Sequence, residues 1–192
     1  MKRLWMFTAL AITISLLMAD PTFSGTIKGK LTCGSLCSNM VLYVEDVPGE
    51  WSGTGEVAVL DQKNKEYLPH VMALLKGTAV RLSNADPELH NVHAYLNKET
   101  VFNIGILPEL SIVMKKFKEP GTYVMLCDRH TEMSAYIVVL GNPYFTQPDP
   151  DGNYEIRDVP EGTYTLVRYD PEEKEISRKE LVISSDKVTA GF

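Results

Sequence analysis

Cys127, His130 and Met133 form Cys-x2-His-x2-Met within Leu126-Cys127-Asp128-Arg129-His130-Thr131-Glu132-Met133, and His90 stands upstream in His90-Asn91-Val92. One thiolate, two imidazoles and one thioether make a soft ligand set. Such a set selects copper and favours a trigonal His2Cys site with a weak axial Met, the blue-copper electron-transfer arrangement. Hard cations would draw carboxylates, and structural zinc is bound by Cys and His without a thioether. Taken singly, a buried Cys behaves as a small hydrophobe and a Met as core filler. The joint pattern is what points to a metal.

The segments that must position these ligands read as strands. Gly121-Thr122-Tyr123-Val124-Met125-Leu126 is apolar and leads into Cys127, and Ser134-Ala135-Tyr136-Ile137-Val138-Val139-Leu140 begins straight after Met133. Three ligands therefore lie on one short loop between two strands, and the fourth comes from a strand edge distant in sequence. Further β-type runs cover 26–32, 40–44, 56–60, 70–75, 78–82, 91–95, 111–117, 153–156, 163–169 and 177–183. Short strands separated by Gly, Pro, Asn and Asp indicate β-sandwiches. A short helix is allowed between Asn97 and Glu109. Asp149-x-Asp151-Gly152 has the start of a calcium loop but lacks its later ligands, so it reads as a turn.

The chain has 192 residues, 44% hydrophobic and 23% charged, room for one or two domains. Residues 1–19 carry Lys2 and Arg3 followed by the apolar run Leu4 to Ala19, the form of a secretory signal. Cleavage falls after Ala19 or as late as residue 24, and an uncleaved anchor is the alternative. The apolar run is short for a membrane span, and no second one follows it, so no membrane insertion is expected after cleavage. The formal net charge of −6 becomes −8 once Lys2 and Arg3 leave. An acidic exported chain is a poor nucleic-acid binder and would attract a cationic redox partner. Of three cysteines, Cys127 is assigned to the metal, which leaves Cys33-Gly34-Ser35-Leu36-Cys37. A disulfide is the default in an oxidising compartment, with a second metal or redox site as the alternative.

Residues 55–141 resemble a complete cupredoxin of the plastocyanin and amicyanin type. The resemblance is carried by Val57-Ala58-Val59-Leu60, by Tyr67-Leu68-Pro69 with Lys76-Gly77-Thr78-Ala79-Val80, and by Pro87-Glu88-Leu89-His90-Asn91-Val92. The Cys127 loop has the short amicyanin spacing, two residues between His130 and Met133, and His93 also has an amicyanin counterpart. The resemblance implies a Greek-key β-sandwich holding one type-1 copper ion on His90, Cys127, His130 and Met133. It further implies that Asn91 ties the two ligand loops together by hydrogen bonds. The remaining segments, 25–54 and 142–192, are similar to carboxypeptidase-regulatory-like, transthyretin-type β-sandwiches. Gly25-Thr26-Ile27-Lys28-Gly29-Lys30 and Val41-Leu42-Tyr43-Val44 fit the opening strands. Asp151-Gly152-Asn153-Tyr154-Glu155-Ile156 and Val159-Pro160-Glu161-Gly162-Thr163-Tyr164-Thr165-Leu166 fit the later hairpin. The expected architecture is thus all-β, with the cupredoxin inserted into a second, discontinuous small β-sandwich. The whole resembles periplasmic plastocyanin-like proteins sometimes grouped with methylamine-utilisation proteins.

The function implied is a non-enzymatic, exported carrier of single electrons between protein redox partners, with the edge of His130 as the electron port. Asp128, Arg129, Thr131 and Glu132 make the rim around that port more charged than the apolar docking patch usual in such proteins. An oxidase or reductase needs further His-rich copper sites, and the chain has only His70, His90, His93 and His130. His70 and His93 read as structural or surface residues. Two other readings stand beside the carrier: copper storage or delivery, and a cell-envelope binding module with a secondary copper site.

Overall fold

The computed structural model describes residues 24–53, 55–184, 187–190 and 192. The apolar segment read as a signal, residues 1–19, lies outside them. The strands are β1 (Ser24–Lys30), β2 (Val41–Glu45), β3 (Val57–Lys63), β4 (Glu66–Leu68), β5 (Val71–Leu75), β6 (Ala79–Asn84), β7 (His90–Leu96) and β8 (Glu99–Leu107). They continue with β9 (Ile112–Lys116), β10 (Gly121–Leu126), β11 (Ser134–Leu140), β12 (Phe145–Thr146), β13 (Asn153–Pro160), β14 (Gly162–Asp170), β15 (Glu175–Ile183) and β16 (Lys187–Thr189). One 3-10 turn, Gly34–Asn39, joins β1 to β2. The described chain is otherwise all-β, and it has no helix long and apolar enough to cross a membrane.

Four sheets form, ordered β4-β3-β6-β9, β5-β11-β10-β7-β8, β12-β2-β14-β15 and β13-β1-β16. The first two face each other across a core that includes Leu60, Tyr67, Val80, Leu82, Val92, Met125, Ile137 and Val139. The last two enclose Ile27, Leu42, Val44, Ile156, Leu166 and Ile183. A third cluster lies between these two sandwiches. Val41, Tyr43, Phe145 and Tyr169 there meet Val71, Ala73, Tyr136, Val138 and Leu140. The four sheets therefore stack as four layers.

This stacking explains two sequences that break the usual alternation of apolar and polar residues. In β2, Leu42 and Val44 enter the second sandwich, while Val41 and Tyr43 point the other way into the shared cluster. In β11, Ala135, Ile137 and Val139 enter the first sandwich, while Tyr136, Val138 and Leu140 face the shared cluster. Successive side chains leave a strand on opposite faces, so a strand covered on both sides must be apolar throughout. The side chain of Gln147 fastens the same junction. Its Oε1 accepts from Ala73 N at 3.1 Å, and its Nε2 donates to the carbonyls of Val71 at 3.2 Å and Ser38 at 2.8 Å.

The segment 97–109 is not helical. Leu96 pairs with Glu99 across a two-residue turn in which Asn97 and Lys98 have φ of 51° and 68°. A hairpin turn with both central residues at positive φ matches the twist of its strands, and Asn tolerates that conformation well. The chain therefore turns back as β8 and extends the sheet that carries His90.

Cys33 and Cys37 form a disulfide at the 3-10 turn, with Cys37 buried against the core. The sequence separation is 4 residues. A bridge over so short a loop removes less chain entropy than the ~3 kcal/mol associated with a 15-residue loop. Replacing both cysteines by serine is expected to lower stability by at most about 2 kcal/mol and to leave the spectrum of the copper-loaded protein unchanged. Thermal melting and thiol counting check this. Three free thiols in the denatured, metal-free wild type would contradict the bridge.

Candidate metal centre

β7 and β10 pair antiparallel with His93 opposite Leu126, so the start of β7 and the end of β10 meet at the same end of their sheet. That register brings His90, the first residue of β7, beside Cys127, the first residue after β10. The loop 127–133 folds back on itself: Met133 N donates to the His130 carbonyl at 3.0 Å, and Cys127 N to the Met133 carbonyl at 3.3 Å. Asn91 joins this loop to β7. Its Oδ1 accepts from Asp128 N at 2.7 Å, and its Nδ2 donates to Asp128 Oδ2 at 2.9 Å.

His90, Cys127 and His130 converge through three atoms. The two Nδ1 atoms are 3.0 Å apart, and Cys127 Sγ lies 3.9 Å from His90 Nδ1 and 3.7 Å from His130 Nδ1. A point equidistant from these three atoms is about 2.1 Å from each, close to the ~2.0–2.1 Å of a metal–imidazole bond and just under the ~2.3 Å of a metal–thiolate bond. A first-row transition ion therefore fits without rearrangement. Met133 is 1% exposed and belongs to the same buried cluster as Cys127, which is 3% exposed.

The outer nitrogens are held as tightly as the inner ones. His90 Nε2 is 2.8 Å from Asp86 Oδ2, and His130 Nε2 is 3.2 Å from Glu88 Oε2. A carboxylate accepts, so a proton on each Nε2 satisfies these contacts and would leave each Nδ1 lone pair for a cation. The two Nδ1 atoms, 3.0 Å apart beside Cys127 Sγ, form a convergence of donor atoms that could hold a metal ion.

Several supporting residues carry no metal-binding signature in the sequence. The Tyr67 hydroxyl shares its proton between the carbonyls of Asn91 and Leu126, at 3.0 Å each, and so braces the strands of both His90 and Cys127. Burial, and then the proximity of Cys127 and Asp128, push the Tyr67 phenol far above its usual range, which keeps it a donor. Burial works against the charge on Asp86, but the N–H groups of Lys65 and Asn64 together with His90 outweigh it and hold the carboxyl below its usual range. Asn103 and His93 depress Asp128 in the same direction. Asn84 Nδ2 donates to the carbonyls of Glu88 and Leu107 and shapes the loop leading to His90.

The remaining histidines lie outside the ligand group. His93 stacks on Tyr95 and contacts Asp128 Oδ1 at 3.1 Å and Thr100 Oγ1 at 2.9 Å. His70 contacts the Ser134 carbonyl at 3.0 Å and Glu172 Oε2 at 3.3 Å, linking the exit of the ligand loop to the β14–β15 turn. Asp149 accepts from the backbone and side chain of Asn153, a local turn rather than an ion site.

No family model matches the chain, and no curated protein does. Among solved structures, a reduced amicyanin variant aligns with a TM-score of 0.41 and 19% identity, over 52% of this chain and 98% of amicyanin. An oxidised amicyanin variant gives 0.41 and 18% over the same shares. A copper-containing nitrite reductase from Thermus scotoductus gives 0.41 and 20%, over 50% of this chain and 28% of its own. These likenesses are low, and the case for a metal rests on the geometry of the site itself. With two imidazoles, one thiolate and a neighbouring thioether, that geometry suits a copper protein.

Proposed function

We propose that the chain is an exported type-1 copper protein that carries single electrons between protein partners. The observation that carries this reading is the inward-facing triangle of two Nδ1 atoms and one Sγ, with edges of 3.0, 3.7 and 3.9 Å, built on strand ends and locked by hydrogen bonds. Copper, when bound, would supply a one-electron Cu(II)/Cu(I) couple. His90, Cys127 and His130 would be its three strong ligands and Met133 the weak axial one. Asn91, Tyr67 and the carboxylates fix these side chains beforehand, so little has to move when the charge of the site changes.

Exposure favours electron transfer over substrate chemistry. His90 is 0% exposed, and the side chain of His130 is 16% exposed. Of the two imidazoles, only His130 reaches solvent. Copper delivery would call for ligands on a mobile segment, whereas all four here sit at strand ends or on the braced loop. The disulfide fits an oxidising, extracytoplasmic compartment, and the acidic balance of the chain favours a cationic partner. Stopped-flow oxidation of the reduced protein by a small basic redox protein tests the carrier role. The expected result is rapid one-electron exchange that slows as salt rises. Turnover of an organic substrate at the copper would overturn it.

Met133→Gln is expected to retain copper and lower the reduction potential, because an amide oxygen favours Cu(II) more than a thioether does. Voltammetry of the loaded variant checks this, and an unchanged or raised potential would remove Met133 from the axial position.

A further inference from the structure

We propose that the segment Asp86-Pro87-Glu88 is a clamp that sets the reduction potential of the site, by holding one carboxylate against the outer nitrogen of each imidazole ligand. This inference rests on the copper reading above. Two residues of one loop reach one histidine each: Asp86 contacts His90 Nε2 at 2.8 Å and Glu88 contacts His130 Nε2 at 3.2 Å. A hydrogen bond from an imidazole to an anion strengthens the opposite nitrogen as a donor. A stronger donor and a fixed negative charge both stabilise Cu(II) more than Cu(I), so the clamp lowers the potential.

The two arms differ in strength. Asp86 is 6% exposed and pinned on every side. It accepts from Asn64 N at 2.6 Å and Lys65 N at 2.9 Å, and its own N–H donates to Asn84 Oδ1 at 2.8 Å. Largely shielded from bulk water, its charge is screened less than that of an exposed carboxylate. The Glu88 side chain is half exposed and shared with Lys65 Nζ at 3.0 Å, so its charge is partly neutralised and solvent-screened. Asp86 is thus the dominant positioning residue, and Glu88 a weaker one on the imidazole that faces solvent.

A purely structural role for Asp86, holding the turn at Asn64 and Lys65, would leave the potential unmoved. The test compares copper-loaded wild type, Asp86→Asn and Glu88→Gln by redox titration. An amide carries no charge and offers one acceptor oxygen in place of the two that Asp86 uses, so its hold on His90 Nε2 is weaker. Asp86→Asn is expected to shift the preference of the site about tenfold toward Cu(I), a rise of ~59 mV for a one-electron couple. Glu88→Gln should move it in the same direction by less. A second readout needs no copper: nitrogen NMR of the metal-free wild type should show His90 protonated at Nε2, and Asp86→Asn should weaken that preference. If wild type takes up no copper in a coloured form, the copper reading itself fails. If wild type is coloured and both variants keep or lower its potential, the clamp is overturned while the copper reading stands. Should Asp86→Asn fail to fold, Glu88→Gln decides: a rise supports the clamp and an unchanged potential overturns it. Protonation of His90 at Nδ1 in the metal-free wild type would also overturn it.

Discussion

Cys127→Ser is expected to abolish the visible colour of the copper-loaded protein. That colour would come from charge transfer between a thiolate and Cu(II), and an alcohol at the same place is neither deprotonated at neutral pH nor a soft donor. The two Nδ1 atoms, 3.0 Å apart, would still offer a weaker site, so some copper can remain bound without the band. The hydroxyl would also be buried in a position 3% exposed, at a cost of about 1–3 kcal/mol if it finds no partner. Absorption spectra and copper stoichiometry of variant and wild type check the result. A variant as intensely coloured as wild type would remove Cys127 from the ligand set.

Excision of residues 55–141 is expected to give a fragment that still binds copper but is far less well behaved than the full chain. The core around the ligands is built from residues between Ala58 and Val139, which supports the proposal that this segment is a domain inserted into the sandwich formed by 25–54 and 142–192. Excision uncovers Val71, Val138 and Leu140, all buried in the full chain against Val41 and its neighbours. At about 1.5–3 kcal/mol for each fully buried Val or Leu side chain, this contact is worth roughly 5–9 kcal/mol, a large share of the ~5–15 kcal/mol that stabilises a typical domain. The fragment should therefore self-associate through the uncovered face of β5 and β11 and melt well below the intact protein. Sedimentation, melting and copper uptake measure all three properties. A monomeric fragment as stable as the full chain would show the interface to be idle, and one that cannot hold copper would reject the boundary.

The ligand loop was legible because its chemistry is local. Three soft ligands within seven residues, flanked by two apolar β-prone runs, can meet only at a strand-loop-strand corner. Residues 25–44 and 151–166 were grouped because both resemble transthyretin-type β-sandwiches, and in the structure β1 pairs with β13 and β2 with β14. The four-layer stack was not foreseen, although its mark is present. Val41-Leu42-Tyr43-Val44 and Tyr136-Ile137-Val138-Val139-Leu140 lack polar alternation, which requires cover on both faces. The helix that the sequence allowed between Asn97 and Glu109 does not form, because nothing in the pattern of 99–107 weighs against a strand and Asn97-Lys98 makes a hairpin turn. Asp86 and Glu88 were invisible as functional residues because an acidic residue near a surface loop is ordinarily solvated. Their signal lay in position alone: Asp86 precedes His90 by four residues, and Glu88 adjoins Leu89-His90. Tyr67 entered only as part of a strand pattern, and its bracing role gave no signal, since its hydroxyl finds carbonyls that only the fold brings together.

The absorption spectrum of the wild-type protein titrated with Cu(II) tests the central claim most directly. The geometry of His90, Cys127 and His130 predicts an intense thiolate-to-copper band in the visible that rises to an end point at one copper per chain and vanishes reversibly on reduction. Copper bound with only the faint colour of a nitrogen and oxygen site, or an end point indifferent to loss of Cys127, would contradict it.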